Sequence, residues 1–419
     1  MSVNEIRNDL LGQSYYKINH ESGLTVYVYP KEGYSSTYAI FGTDYGSIDA
    51  DGIPNGTAHF LEHKLFESDE IDAFKRFAET GASANAYTTF DRTCYLFNCG
   101  ANFYENLKIL LDFVTHPYFT QETVEKEQGI IGQEIKMYQD EPMWQSLFNL
   151  LRTAYVNHPV RIDLAGTPET IAEITAETLY GCYDKFYNLG NMVLACVGDT
   201  TVDEVLKAVD EVLGKERKAA EPVSRHFDEP YEVAGDYIEQ KMSVAMPQFA
   251  LGFKTSPEGD SGSRPTTRER VVTSILLDCL FGQTTEFYND LLDNGYISPN
   301  IGAEDFSGPG YRLVLVMGDS KDPKYVAEAF KKRVAEVKEN GISPEDFERA
   351  RKAHYGRTVM EFNDVNNIAN VMVVFHFEGS TLYEELDICK ELTLDEINEL
   401  LDRRFDVNNV TLSVILPKE

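Results

Sequence analysis

The sequence predicts an α+β fold divided into two domains. At 419 residues, the chain exceeds the size that a single hydrophobic core usually serves. Strand and helix patterns occur in both halves, and their order in the second half echoes the first, as expected of a duplication. A charged, proline-containing stretch near 214–230 has little apolar periodicity. We therefore predict an N-terminal domain over 1–220, a linker over 221–234 and a C-terminal domain over 235–419.

The first half is predicted to be an α+β unit. Strands are expected where β-branched and aromatic residues concentrate, at 24–30, 36–45, 85–89, 93–99 and 192–197. Helices are expected where apolar residues recur at helical spacing, from Thr57 onward and at 71–80, 106–115, 121–139, 144–155, 176–188 and 202–213.

The second half repeats this mixture of elements. Strands are predicted at 243–253, 311–317 and 410–416. Helices are predicted at 268–281, 285–294 and 323–340, and two more begin at Pro344 and Thr393.

The composition limits the classes of partner. A formal net charge of −31 argues against nucleic acid and anionic membrane surfaces, which would repel the chain, whereas basic peptides would be attracted. The first residues lack a basic segment followed by an apolar one, and no apolar run is long enough to span a membrane, so we expect a cytoplasmic protein. The six cysteines form no CxxC pair and are interpreted as reduced structural thiols.

The most informative motif is His59-Phe-Leu-Glu62-His63. On a helix, residues four apart share one face, so His59 and His63 would lie together with Glu62 beside them. Catalytic zinc usually takes three protein ligands and one water, and a nearby carboxylate can accept the proton of that water. The motif therefore predicts two zinc ligands and a general base, with a third ligand elsewhere.

Candidates for the third ligand lie in an acidic helical run downstream. Glu127 and Glu134 are seven residues apart, almost two turns, and so share one face of the predicted helix. By spacing alone, Glu122, Glu125 or Glu141 could equally supply the ligand, and Glu127 could simply form an ion pair on the helix surface.

These motifs together resemble the insulinase/pitrilysin family of inverted-motif zinc peptidases, which includes the mitochondrial processing peptidases. The resemblance implies two similar, duplicated α/β-sandwich domains, each a mixed, mostly antiparallel sheet covered by helices. It implies one Zn²⁺ per chain bound by His59, His63 and Glu134, with Glu62 as catalytic base and Glu127 as a second catalytic carboxylate.

The resemblance also implies how substrate is bound. An extended peptide would lie in a chamber between two homologous halves, where Asn85, Ala86, Tyr87 and Thr88 form an exposed edge strand that pairs with its backbone. Many members carry an Arg seven residues before a Tyr in the second half. If Tyr296 is that substrate-binding tyrosine, the Arg position holds Asn289; if the register slips by two, the pair is Leu291 and Ser298.

Three classes of function follow. The leading prediction is a zinc endopeptidase that cleaves peptides or unfolded segments, either as a homodimer or as a heterodimer with a related, inactive subunit that could supply the missing arginine. The second is a catalytically silent binding or assembly subunit of the same fold. The third, a dinuclear carboxylate site, would need a second Glu-x-x-His motif, and the sequence offers none.

Overall fold

The computed structural model describes residues 1–69, 71–214, 223–257 and 260–418. Over these residues the chain forms twelve strands and fifteen α-helices. The strands are β1 (Ser2–Asn8), β2 (Gln13–Asn19), β3 (Thr25–Pro30), β4 (Thr37–Thr43), β5 (Ser83–Thr88), β6 (Thr93–Cys99), β7 (Met192–Gly198), β8 (Tyr237–Met242), β9 (Gln248–Thr255), β10 (Gly302–Gly308), β11 (Tyr311–Asp319) and β12 (Val410–Pro417).

The helices account for most of the remaining chain. They are α1 (Thr57–Leu65), α2 (Ala73–Thr80), α3 (Phe103–Thr115), α4 (Gln121–Asp140), α5 (Pro142–Ala154), α6 (Pro168–Ala172), α7 (Ala176–Phe186), α8 (Val202–Leu213), α9 (Thr267–Phe281), α10 (Glu286–Asp293), α11 (Pro323–Asn340), α12 (Pro344–Glu361), α13 (Val365–Glu378), α14 (Glu384–Glu391) and α15 (Leu394–Arg404).

The strands form two sheets with a shared topology. The seven-stranded sheet has the order β1-β2-β3-β7-β4-β6-β5, and the five-stranded sheet has the order β10-β11-β9-β12-β8. Strands β3 and β7 are parallel, as are β8 and β12, and the other neighbouring pairs are antiparallel. Without the β1-β2 hairpin, the first sheet therefore repeats the second strand for strand.

The chain divides into two compact units, each built from discontinuous segments. The first unit contains Met1–Gln133, Leu164–Ser224 and Met360–Tyr383, and the second contains Glu134–Asp163, Arg225–Val359 and Glu384–Glu419. We call 134–163 and 360–383 the exchanged segments, because each belongs to the unit formed mainly by the other half of the sequence. Within the first unit α13 packs on β4 and β7, and within the second α5 packs on β8, β9 and β12.

Each unit has its own apolar core. In the first, the central strands β4 and β7 are buried along their whole length, as expected of strands covered on both faces. In the second, the buried faces of β9 and β11 pack with apolar residues of α9, α11 and α15. Burial of these side chains is the main term that stabilises both sheets.

The predicted α+β class with two similar domains is confirmed, and most predicted elements occur within a few residues of their expected bounds. One predicted strand was wrong at its start, because 243–247 is not extended into the sheet and β9 begins only after Pro247. Proline lacks the N–H that a sheet interior requires. Seven further elements have no counterpart among the predicted ones: β1, β2, β8, β10, α6, α13 and α14.

The predicted linker, 221–234, begins at two positions outside the described residues, and the proposed domain bounds stay a prediction. In the described part of the chain, no helix is both long enough and apolar enough to cross a membrane.

Candidate active site

Helix α1 begins where the backbone at Gly56 passes close to the backbone at Ala165. Gly56 precedes it with φ of 91°, and a Cβ there would lie 2.6 Å from the carbonyl oxygen of Ala165. Only glycine adopts this conformation without strain and leaves room for the neighbouring chain. The Thr57 hydroxyl donates to the carbonyl oxygen of Pro54 at 2.6 Å, which fixes the first turn of the helix. Eight of the nine residues of α1 are buried, so its side chains are held by packing on all sides.

Three potential metal ligands converge at α1 and α4. The rings of His59 and His63 have centroids 4.6 Å apart, as expected for residues one turn apart on one helix face. One donor atom from each of His59, His63 and Glu134 lies within 4.8 Å of the other two. Among residues 1–69, 71–214, 223–257 and 260–418, this is the one group of His, Cys, Asp or Glu found with metal-binding spacing.

Glu134 and Glu127 are carried by the same helix. The division between the two units falls after Gln133, but α4 is continuous from Gln121 to Asp140. The helix therefore fixes the position of Glu134 relative to Glu127. The alternative candidates Glu122, Glu125 and Glu141 are exposed.

Glu127 contacts a potential ligand directly. Its carboxylate is buried and lies 3.1 Å, Oε1 to Nδ1, from His63. Burial alone would raise the pKa of Glu127, but the hydrogen bond and charge of His63 bring this pKa below its usual value. When Nδ1 of an imidazole donates to a carboxylate, Nε2 presents its lone pair to a metal ion. The arrangement is a partly buried histidine–carboxylate pair rather than an exposed ion pair.

Glu62 is buried on α1 between the two histidines in sequence. The hydroxyl of Thr88, at the end of β5, donates to Glu62 Oε2 at 2.8 Å. Thr88 is a predicted substrate-binding residue, and in the structure its hydroxyl bonds to Glu62. This contact joins residues 26 positions apart in sequence, so no local sequence pattern predicts it.

Strand β5 lies at the edge of the seven-stranded sheet, as the sequence analysis expected of 85–88. Asn85 is exposed, and its Oδ1 accepts from the backbone N–H of Ala86 at 2.9 Å. Tyr87 donates from its hydroxyl to Oδ1 of Asn370, on α13, at 2.7 Å. Because neighbouring residues of a strand point to opposite faces, Thr88 and Tyr87 anchor β5 on both of its faces.

Tyr296 packs within the second unit. Its ring stacks on Tyr325 with centroids 4.0 Å apart, and Lys321 Nζ lies 4.2 Å from the ring centroid. The two candidate positions for the family's arginine are also engaged locally: the Asn289 amide donates to the carbonyl oxygen of Thr285, and Leu291 is buried. The described contacts of Tyr296, with Tyr325 and Lys321, are those of a structural aromatic cluster.

One residue near the ligands was missed by sequence reasoning. The hydroxyl of Tyr138 donates to Glu134 Oε1 at 2.6 Å. The signal was present, because Tyr138 follows Glu134 by four residues and the two must share a helix face.

A Ser–His–Asp arrangement elsewhere does not form a hydrolytic site. His20 lies 2.8 Å from Ser22 Oγ through Nδ1 and 3.1 Å from Asp210 Oδ1 through Nε2. Ser22 is fully buried at the turn between β2 and β3, so a substrate carbonyl cannot reach its hydroxyl.

The donor set around α1 fits zinc. Two imidazole nitrogens and one carboxylate oxygen are the ligands of many catalytic zinc sites, which keep a further position for water. The donor atoms are already close together, and a carboxylate hydrogen-bonded to a ligand histidine is the usual outer contact of such sites. The geometry could therefore support metal-assisted hydrolysis with a carboxylate base at hand.

Comparison with known proteins gives a consistent result. The family described as "Insulinase (Peptidase family M16)" matches residues 28–168, and "Peptidase M16 inactive domain" matches 173–354. The chain is 36% identical over 428 residues to the uncharacterized zinc protease YmfH of Bacillus subtilis, covering 99% of this chain and 100% of that protein.

Two further similarities cover different shares of the chain. A Schizosaccharomyces pombe protein described as a mitochondrial-processing peptidase subunit beta is 29% identical over 212 residues, 49% of this chain and 46% of that protein. A crystal structure from Alicyclobacillus acidocaldarius, described as that of an M16-like peptidase, has a TM-score of 0.91 at 34% identity, covering 100% of this chain and 99% of that one.

Proposed function

The chain belongs to the insulinase family of peptidases, peptidase family M16, and from this we propose that it is a zinc-dependent endopeptidase. Its substrates would be peptides or unfolded polypeptide segments. The observation that carries the proposal is the convergence of His59, His63 and Glu134, with Glu62 on the same helix as the two histidines.

Zinc, when bound, would lower the pKa of a coordinated water and polarise the scissile carbonyl. The residues of the chain would supply the remaining functions. Glu62 would accept a proton from the attacking water on its carboxylate and deliver it to the nitrogen of the leaving amine. Thr88 would hold that carboxylate in one orientation through Oε2, and Glu127 would orient the His63 ring through Nδ1.

The edge strand supports a preference for extended substrates. An added peptide strand would pair with the backbone of β5, so affinity would depend little on side chains. Asn85, Ala86, Tyr87 and Thr88 would contribute this edge, and Tyr296 would contact substrate only if its stack on Tyr325 opens. The net charge of −31 would favour basic peptides over acidic ones.

We propose that the working enzyme is paired, with a peptide-binding chamber between homologous halves. One of the similar proteins is described as a subunit, and this chain lacks the second-half arginine of many family members, which a partner could provide. Light scattering coupled to size-exclusion chromatography should give twice the chain mass for a homodimer. An active protein that stays monomeric would contradict this part of the proposal.

The second candidate is a silent binding subunit. The residues at the arginine position, Asn289 or Leu291 according to register, favour it, because neither can donate like a guanidinium. The complete donor group favours the enzyme, because a binding subunit needs no metal ligands.

We also propose a cytoplasmic location. All six cysteines, Cys94, Cys99, Cys182, Cys196, Cys279 and Cys389, are free and buried. Unpaired thiols are typical of proteins that work in a reducing compartment.

The experiment combines zinc content with cleavage of a quenched fluorescent peptide library. Glu62→Gln removes the proton acceptor and keeps the side-chain shape, so zinc should remain while turnover falls about 10²- to 10⁴-fold. Glu122→Gln, at an exposed position of α4, is the matched control and should match the wild type. Zinc bound without cleavage in the wild type would favour the silent subunit, and no bound zinc would overturn the zinc endopeptidase.

A further inference from the structure

Four side chains form a continuous chain of contacts that ends at the proposed third zinc ligand. Tyr138 donates from its hydroxyl to Glu134 Oε1 at 2.6 Å. The Tyr138 ring stacks on Trp144 with centroids 4.5 Å apart and an interplanar angle of 14°. The indole N–H of Trp144 donates to Asp163 Oδ2 at 2.7 Å. All four residues belong to one exchanged segment, 134–163.

Glu134 has a support of its own. His59 is buried and the half-buried His63 lies within hydrogen-bond distance of Glu127, whereas Glu134 is half-buried on a helix with many exposed residues and accepts its hydrogen bond from Tyr138. A glutamate side chain has several rotatable bonds and loses rotamer entropy when it is fixed. A carboxylate that is already held loses less of this freedom when it binds a metal ion.

The position of Tyr138 is itself fixed. Its backbone carbonyl accepts hydrogen bonds from the N–H of Glu141 at 3.2 Å and from the side-chain amide of Gln145 at 3.1 Å. These bonds tie the end of α4 to the start of α5, where Trp144 lies. The stacked rings are therefore set by the corner between the two helices.

We infer that Tyr138 is a positioning residue for metal binding, and that Trp144 and Asp163 hold it in place. The hydroxyl fixes the rotation of the Glu134 carboxylate, the stack fixes the phenol ring, and the Asp163 carboxylate fixes the indole. This inference rests on the proposed function, because it assumes that Glu134 is a zinc ligand.

The test is zinc affinity, measured on the full chain by competition with a chromophoric chelator. Tyr138→Phe keeps the ring and its stack and removes only the hydroxyl. Removing an outer hydrogen bond of this kind typically weakens metal binding about 10- to 100-fold, and we expect a loss in this range. Tyr231→Phe is the matched control, because it removes a Tyr hydroxyl bonded to the Asp406 carboxylate at 2.8 Å elsewhere in the second unit. It should leave zinc affinity unchanged.

A second variant keeps the test sharp if Tyr138→Phe folds poorly. Trp144→Phe retains an aromatic ring beside Tyr138 and loses the bond to Asp163, so zinc affinity should fall, but by less than in Tyr138→Phe. In the wild type, Trp144 is the sole tryptophan, so its fluorescence should change when zinc is added and should not change in His63→Ala.

The outcomes separate the two claims. If wild type and His63→Ala bind zinc equally, the proposed site is wrong. If His63→Ala loses zinc but folded Tyr138→Phe and Trp144→Phe bind it as tightly as wild type, the site stands and the positioning role is overturned.

Discussion

The two units use one topology and place different side chains on it. In each unit a central strand is followed by a helix, and a later long helix contacts that helix through side chains. The helix pair is α1 and α4 after strand β4 in the first unit, and α9 and α12 after strand β9 in the second. In the first unit the pair is joined by His63 and Glu127. In the second, Ser274 Oγ lies 3.3 Å from His354 Nδ1, and Arg357 forms an ion pair with Asp278.

The difference shows which part of the site the fold provides. Both units can bring a histidine and a carboxylate together, since His354 Nε2 also lies 2.8 Å from Glu385 Oε1. Of His63 and His354, only His63 has a second histidine one turn away, and together with Glu134, His59 and His63 complete a group of metal-binding donors. The scaffold therefore supplies a helix pair, and the His-x-x-Glu-His spacing on α1 supplies the chemistry.

The largest predicted effect concerns a feature that the units share. His158 and His376 lie one on each exchanged segment; His158 is buried and His376 is half-buried, and desolvation lowers the pKa of each to about 4. An unfolded histidine has a pKa near 6.5, so the unfolded chain binds more protons between pH 6.5 and 4. The stability that each neutral histidine gives is fully present above pH 6.5 and is lost as the pH falls to about 4.

Each loss corresponds to about 3 kcal/mol in the free energy of unfolding. Urea unfolding between pH 7 and 4 measures it. The surroundings of the two histidines include Glu229 and Lys254 for His158 and Lys17 for His376. His158→Gln and His376→Gln should each reduce the change in the free energy of unfolding between pH 7 and 4 by the contribution of one histidine. An unchanged slope in either variant would show that the corresponding histidine does not contribute.

The next largest predicted effect is a change in zinc affinity or turnover that should differ between the two units. Glu127→Gln should reduce zinc affinity or turnover about 10- to 100-fold, because the His63 ring loses the charged acceptor that orients it. Glu385→Gln makes the equivalent change beside His354 and should alter neither zinc affinity nor turnover. Equal effects of the two variants on turnover would mean that the second unit also takes part in catalysis.

A smaller effect is expected on β5. Thr88→Val keeps the side-chain shape and removes the hydrogen bond to Glu62 Oε2, so kcat should fall about tenfold while zinc content is unchanged. Metal analysis and steady-state kinetics on one peptide measure both quantities. A rise in KM alone would instead assign Thr88 to substrate binding, as first predicted from the sequence.

Much of the site could be predicted from local spacing. His59, Glu62 and His63 lie on one helix, and Glu127 and Glu134 lie on another, so helical periodicity sets their relative positions. Choosing Glu134 over Glu122, Glu125 and Glu141 required either the family resemblance or the packing of α4. The contact of Thr88 with Glu62 is set by the sheet and has no local signature.

The fold could be predicted less completely, for similar reasons. Helix α13 packs on β4 and β7 in the first unit, so its partners are more than a hundred residues away in sequence. Strands β1 and β10 lie at sheet edges, and the last residue of β10 is the one buried residue in the two strands, which weakens the alternation that marks a strand. Strand order and the exchanged segments depend on tertiary packing, and local periodicity carries no information about that packing.

The most direct test of this comparison is the zinc content of two matched variants, His63→Ala and His354→Ala, measured by elemental mass spectrometry after dialysis. Each removes a histidine that is hydrogen-bonded to a carboxylate on a neighbouring helix, His63 to Glu127 on α4 and His354 to Glu385 on α14. We expect about one zinc per chain in the wild type and in His354→Ala, and almost none in His63→Ala. Zinc retained in His63→Ala, or lost in folded His354→Ala, would contradict this expectation.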